Sequence, residues 1–175
     1  APGQIPLSMY KILPRGSSPL PSEEGLGVRA LGLLGSPDIQ SFGPVLHNTL
    51  YKNRGINALY SLFLTDDLED AWEHLTALGV EGFSVTAPFK QEIIPYLDKL
   101  SDDAKLLGTV NTVVKKDGQW IGYPRDAEGL VRGYPCLSES KSAAIIGSGG
   151  VVPSVIHACH LSGIKDITVN ARNEQ

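Results

Sequence analysis

The stretch from Gly82 to Lys90, Gly-Phe-Ser-Val-Thr-Ala-Pro-Phe-Lys, constrains the fold more than any other part of the sequence. It begins as a short apolar strand, and Pro88 ends that strand because proline has no N–H to donate to a neighbouring strand. Lys90 therefore follows a strand end, where α/β sheets commonly carry their functional side chains. Such a lysine is either a solvated surface group or half of a functional pair, and the second interpretation requires a carboxylate partner and a polar pocket elsewhere in the chain.

Strand and helix signals alternate before this stretch, as is typical of parallel sheets. The apolar run from Arg29 to Gly35 predicts a buried strand, and residues 59–64 predict the next one. Between them, Pro44 opens a helix that Gly55 ends. We predict that this helix turns four residues toward the core: Val45, Leu46, Thr49 and Leu50.

A second helix follows residues 59–64. Its start is predicted by the capping pattern Asp66-x-x-Glu69, and Trp72 lies on its apolar face, which favours a core position over a ligand platform. After Lys90, residues 91–97 and 102–107 each predict a short helix.

Two strands, residues 110–114 and 119–123, flank Asp117-Gly118, a strong signal for a two-residue hairpin turn. Together with the preceding units they predict an α/β fold with a mostly parallel sheet over residues 29–125.

A second module begins near Ser142 with an apolar strand at residues 143–146, a glycine-rich loop, a helix from Val151 to Leu161 and a strand at residues 167–170. Strand, glycine loop and helix in this order are typical of a dinucleotide-binding fold, in which a pyrophosphate approaches the backbone at a helix N-terminus. A plain tight turn is the alternative, because Val152 and Pro153 stand where the fingerprint has a third small residue.

Charge and composition exclude several classes of function. A net charge of −4 provides no basic footprint for nucleic acid or an anionic membrane, and no apolar run is long enough for a transmembrane helix. Histidine spacing predicts no metal site. With only Cys136 and Cys159, the chain has no disulfide framework, so we expect a cytoplasmic or nuclear location.

Five short motifs occur along the chain in a fixed order and spacing. They are Gly35-Ser-Pro-Asp-Ile-Gln-Ser-Phe-Gly-Pro-Val-Leu-His-Asn48, Val85-Thr-Ala-Pro-Phe-Lys90, Gly108-Thr-Val-Asn-Thr112, Gly122-Tyr-Pro-Arg-Asp126 and Gly147-Ser-Gly-Gly150. In these motifs the sequence resembles the shikimate/quinate dehydrogenase family. The resemblance implies a substrate-binding domain over residues 29–125 and, over residues 126–175, the first part of a Rossmann-like NAD(P)-binding domain. The proline-rich residues 1–28 are then a linker, and Ala1 to Gln4 resembles the end of a dehydroquinase-like domain.

The resemblance also implies roles for individual residues. Lys90 and Asp126 match the family's catalytic pair, which suits a reaction in which a hydride moves to a nicotinamide while a hydroxyl proton is shuttled by the protein. Substrate-binding positions match Ser41, Thr86 and Asn111. Cofactor-binding positions match Gly147, Gly149, Gly150 and Arg172, and the arginine lies one place later than in members that use NADP.

Several positions depart from the family's pattern. The loss of a serine hydroxyl at Gly43 removes a hydrogen bond to a charged group, worth about 1.5–3 kcal/mol. We expect Arg125 to place a cation beside the catalytic pair, where it competes for Asp126 or binds an anion. The departures are Gln40 for histidine, Gly43 for serine, Ser84 for asparagine and Pro124-Arg125 for Asn-Thr.

Two functions are compatible with these residues. The departures favour the dehydrogenase-like domain of a fungal quinate-pathway transcriptional repressor, without catalytic activity, that serves as a ligand sensor or as a protein-interaction module. It would bind shikimate or quinate weakly and act on a transcriptional activator protein instead of on nucleic acid. The surviving pair supports the alternative, an active NADP-dependent shikimate dehydrogenase unit of an AROM-type multifunctional protein. We expect the parent protein to be able to use NADP, and this chain by itself not to bind it.

Overall fold

Strands and helices alternate along residues 28–171, the part of the chain that the computed structural model describes. The strands are β1 (Arg29–Gly35), β2 (Ala58–Leu64), β3 (Gly82–Val85), β4 (Lys99–Leu100), β5 (Thr112–Lys116), β6 (Gln119–Tyr123), β7 (Ser142–Ile146) and β8 (Asp166–Asn170). The α-helices are α1 (Gly43–Arg54), α2 (Leu68–Ala77), α3 (Asp102–Leu107), α4 (Asp126–Gly133) and α5 (Val152–Leu161), and turns of 3₁₀-helix occupy Ile94–Tyr96 and Pro135–Glu139. The predicted linker and its dehydroquinase-like start lie outside the described residues, apart from Val28.

The first sheet has six strands in the order β2-β1-β3-β5-β6-β4. β1 pairs in parallel with both β2 and β3, while β5 runs antiparallel to β3 and to β6. The β5–β6 turn consists of Asp117 and Gly118, both with positive φ, as a two-residue hairpin turn requires. All strands of this sheet except β5 therefore end at the same edge. The α/β fold with a mostly parallel sheet, predicted from the sequence, is confirmed.

The core of this sheet lies between one of its faces and α2. Trp72 packs on Phe83 and Trp120, with ring centroids 6.4 and 5.3 Å apart, so its predicted core position is confirmed. Gly32 on β1 leaves the space that Phe63 fills, because a Cβ there would overlap the Phe63 ring and the Ser61 carbonyl. Helix α2 begins one residue later than the sequence pattern suggested: Asp67, not Asp66, accepts the capping hydrogen bond, from the Asp70 N–H at 3.1 Å.

Helix α1 turns a different face inward from the one predicted. Val45, Leu46 and Leu50 are 62%, 57% and 40% exposed, and Thr49 is exposed as well, so the prediction was wrong. The helix instead buries Pro44 and half-buries His47, Asn48 and Tyr51, which face strand β2. The physical reason is that β2 is an edge strand, with backbone groups and a buried tyrosine that a polar helix face can satisfy.

A second sheet pairs β7 with β8 in parallel, and α5 connects them. This strand–loop–helix–strand unit is the one predicted for the opening of a Rossmann-like module. The domain boundary near residue 125 stays a prediction. Two details differ from the sequence analysis: residues 91–97 contain one turn of 3₁₀-helix, and β4 was not predicted.

Candidate active site

Lys90 and Asp126 meet at the edge where the strands end. Lys90 Nζ donates to Asp126 Oδ2 at 2.6 Å, and the two side chains are 23% and 30% exposed. Lys90 follows a turn after β3, in which the Phe89 N–H donates to the Thr86 carbonyl, and Asp126 is the first residue of α4, just beyond β6. Because β3 and β6 run in the same direction on either side of β5, their ends bring the lysine and the aspartate together.

Asn111 orients the aspartate of this pair. Its side-chain amide donates to Asp126 Oδ1, while its own Oδ1 accepts the Arg125 N–H at 2.7 Å. Asp126 is thus held through one oxygen by Asn111 and through the other by Lys90. Asn111 therefore contacts the carboxylate of the pair, and its expected role beside a substrate hydroxyl stays a prediction.

Arg125 turns away from the pair. Its Nη1 lies 2.6 Å from Glu128 Oε2, and its guanidinium lies 4.7 Å from the centre of the Tyr123 ring. Of the two alternatives for Arg125, competition for Asp126 is therefore wrong, and anion binding stays a prediction. The reason is local, since Glu128 is one helical turn away and Tyr123 offers a stacking surface.

Ser41 lies beside the start of α1, where its Oγ accepts the Gly43 N–H at 3.0 Å. A Cβ at Gly43 would lie 3.1 Å from both Ser41 Oγ and Tyr60 Cε1, so the Tyr60 ring bounds the space next to Ser41. Thr86 begins the turn that carries Lys90, and its N–H donates to the Leu34 carbonyl at 3.0 Å. The substrate-binding roles of Ser41 and Thr86 stay predictions.

Sequence reasoning did not single out Tyr60. This residue is 6% exposed and donates its phenol O–H to Ser84 Oγ at 3.1 Å, while His47 stacks on its ring at 4.2 Å between centroids. Burial raises the pKa of Tyr60, partly opposed by the hydrogen bond to Ser84, and burial lowers the pKa of His47. The sequence does contain a hint of this contact. Tyr60 is a tyrosine within an otherwise mostly apolar strand, and Ser84 is one of the positions that depart from the family's pattern.

The glycine loop follows β7 as predicted. Gly147 has a φ of 117°, and a Cβ at Gly147, Gly149 or Gly150 would meet nothing within 4 Å, so a ligand can approach this backbone closely. Helix α5 then begins at Val152 without a side-chain cap, and its first N–H groups suit a pyrophosphate. The loop therefore fits a dinucleotide, whereas Arg172 lies outside the described residues. The cofactor-binding roles of these four residues stay predictions.

Residues 28–171 contain neither a metal-ligand cluster nor a membrane-spanning helix. Over that stretch, no three His, Cys, Asp or Glu side chains are grouped so that they could hold a metal ion. None of the helices there has both the length and the apolar character needed to cross a bilayer.

Comparison with known proteins gives a consistent result. Residues 33–113 match the model of the shikimate dehydrogenase substrate binding domain. Shikimate dehydrogenase (NADP(+)) of Alkaliphilus metalliredigens is 41% identical over 146 residues, which cover 81% of this chain and 51% of that protein. The chain thus spans about half the length of the curated relatives it matches.

Solved structures of relatives share the fold. Shikimate dehydrogenase from Aquifex aeolicus superposes with a TM-score of 0.79 at 36% identity, covering 86% of this chain and 58% of that one. Shikimate 5-dehydrogenase from Listeria monocytogenes, solved in complex with shikimate and NAD, gives 0.77 at 30% identity, covering 89% of this chain and 56% of that one.

Proposed function

The chain belongs to the shikimate dehydrogenase family, and from this premise we propose that the protein containing it is an NADP-dependent shikimate dehydrogenase. The observation that supports the proposal best is the pair of Lys90 and Asp126, joined at 2.6 Å and oriented by Asn111. The sequence departures favour a repressor, partly because they predict that Arg125 disturbs this pair. The contact of Arg125 with Glu128 removes that objection.

The chain's own residues can bind the substrate and move its proton. Ser41 Oγ accepts the Gly43 N–H, which leaves the serine proton free to donate to a carboxylate. The substrate hydroxyl at Lys90 can pass its proton to the Lys90–Asp126 pair during oxidation and receive it back during reduction. Asn111 prevents Asp126 from rotating away, so the acid–base group keeps one geometry through the reaction.

The nucleotide would be held by the loop from Gly147 to Gly150 and the first turn of α5. When bound, its nicotinamide supplies the hydride acceptor or donor. The open space over these glycines supports this assignment.

The proposal is tested with the full-length protein. We expect NADP-dependent oxidation of shikimate, and we expect Lys90→Met to lower kcat by about 10²–10⁴-fold, the usual range for a lost acid–base group. Lys105→Met is the matched control, because Lys105 forms a solvent-exposed ion pair with Asp102, with side chains 62% and 100% exposed. Shikimate oxidation at background level in the unmodified protein would reject the proposed dehydrogenase activity.

A regulatory domain is the second candidate, favoured by one observation. Gly43 lacks the side chain that would complete the carboxylate site, and a Cβ there would be crowded, at 3.1 Å from both Tyr60 Cε1 and Ser41 Oγ. A regulator would bind shikimate or quinate without turnover and act through a partner such as a transcriptional activator. For that function, shikimate binding measured by calorimetry should persist while oxidation stays at background. Gly43→Ser alone should leave oxidation near background, and the informative variant combines Gly43→Ser with Pro124→Asn and Arg125→Thr, which restores the family's residues at these three positions.

A further inference from the structure

Tyr60 lies on the face of the six-stranded sheet opposite the core residues Leu34 and Phe63. Parallel registers align Leu31 with Tyr60 and Leu33 with Ser84. Because alternate residues of a strand share a face, Tyr60, Leu31, Leu33 and Ser84 all lie on the side of the sheet that carries α1. The tyrosine side chain spans β1 to reach Ser84, and its O–H is the donor at 3.1 Å.

The direction of this hydrogen bond determines what Ser84 can do. A phenol is a stronger donor than an aliphatic hydroxyl, so Tyr60 donates and Ser84 Oγ accepts. The serine proton is then left to donate to another oxygen. Ser84 is half-buried and precedes Thr86 by two residues, so both project on the same face of the segment that leads to Lys90.

The same tyrosine ring packs closely against Gly43. A side chain there would contact Tyr60 Cε1 and Ser41 Oγ equally, at 3.1 Å each. Ser41 and Ser84 are therefore both placed around one ring, at the end of the site where the family's second serine hydroxyl is missing. We propose that Tyr60 and Ser84 form a relay that supplies the missing donor: Tyr60 orients Ser84, and Ser84 donates to the substrate carboxylate.

This inference rests on the proposed function, and it makes Tyr60 a positioning residue that acts through Ser84. Neither residue contacts Lys90 or Asp126 among the hydrogen bonds of the described residues. The relay should therefore affect substrate affinity and leave the chemical step unchanged.

The test is a double-mutant cycle in the full-length protein, with shikimate affinity measured by calorimetry and KM and kcat measured with NADP. We expect Ser84→Ala to weaken shikimate binding by about tenfold, as for a lost hydrogen bond to a charged group, with kcat unchanged. Tyr60→Phe should weaken binding by about threefold, and the double variant should be no weaker than Ser84→Ala alone, because the tyrosine acts only through the serine.

Tyr51→Phe provides the matched control. Tyr51 loses the same hydroxyl, contacts the same His47 ring at 5.9 Å between centroids, and should bind shikimate as the unmodified protein does. Additive losses in the cycle, or a loss of kcat with KM unchanged, would overturn the relay. Shikimate binding that both variants leave intact would overturn the relay alone, whereas absence of binding by the unmodified protein would overturn the proposed function with it.

Discussion

Asn48 offers the sharpest stability test of this fold. Its side-chain amide donates to the Tyr60 carbonyl at 2.9 Å, and its Oδ1 accepts the Tyr60 N–H at 2.8 Å. Strand β2 lies at the edge of the six-stranded sheet, so Asn48 takes the place of a neighbouring strand at this residue. Asn48→Ala would leave both backbone groups of a residue that is only 6% exposed without these partners.

The expected loss follows from those two groups. An unsatisfied buried donor or acceptor costs about 1–3 kcal/mol, and water at a sheet edge replaces part of the loss, so we expect about 2–4 kcal/mol. That is a large fraction of the roughly 5–15 kcal/mol by which a domain is stable. With a urea m-value of about 2 kcal/mol per M, the middle of the usual range, the midpoint should fall by about 1–2 M.

Urea unfolding followed by tryptophan fluorescence is the suitable assay, because Trp72 and Trp120 both pack in the core of this sheet. Asn53→Ala is the matched control, since Asn53 lies on the same helix and is exposed, and it should change stability by no more than about 0.5 kcal/mol. Equal effects of the two substitutions would show that the hydrogen bonds to Tyr60 do not stabilise the edge strand.

Three other predictions concern single residues. Burial lowers the pKa of His47 from its usual 6.5, so the folded state favours the neutral ring. This preference costs no stability above pH 6.5, but the unfolded state gains protons more readily as the pH falls below it, so the unfolding free energy should drop between pH 7 and 5. His47→Gln should flatten this dependence of the unfolding free energy on pH. Gly32→Ala should destabilise the fold by about 1–3 kcal/mol, because the added Cβ overlaps Phe63. Gly129→Ala in α4 should stabilise the fold slightly, because a Cβ there meets nothing within 4 Å. Equal unfolding midpoints of the two variants in urea would refute the packing argument. Arg125→Ala should change kcat of the full-length protein by less than about threefold, since its guanidinium pairs with Glu128, and a hundredfold loss would place it in the catalytic machinery.

Features that only a few residue types can form could be predicted from the sequence. Gly55 ends α1 in a left-handed conformation, and Asp117-Gly118 forms the hairpin turn, because few residues tolerate the φ values required. The approach of Lys90 to Asp126 was also predictable, since each follows a strand and strand ends of like direction share an edge.

Features that depend on distant partners could not be read in this way. The inward face of α1 was mispredicted because apolar residues were assumed to point inward, whereas edge strand β2 needed Asn48 and His47. Strand β4 has two residues and exists only through its pairing with β6. The Tyr60–Ser84 contact joins residues 24 apart across a third strand, and periodicity along one segment carries no information about such a contact.

The antiparallel strand β5 lies between the two strands that lead to Lys90 and Asp126. Thr112 aligns with Ser84 of β3 on one side and with Tyr123 of β6 on the other. The distance between Lys90 and Asp126 therefore depends on the register of both strand pairs. The exposed hairpin tip at Asp117-Gly118 fixes the second register from the far end of β5 and β6. Adding or deleting a single residue at that tip would displace Asp126 by about 3.4 Å along the strand, so the length of a remote surface turn sets the alignment of Asp126 with Lys90.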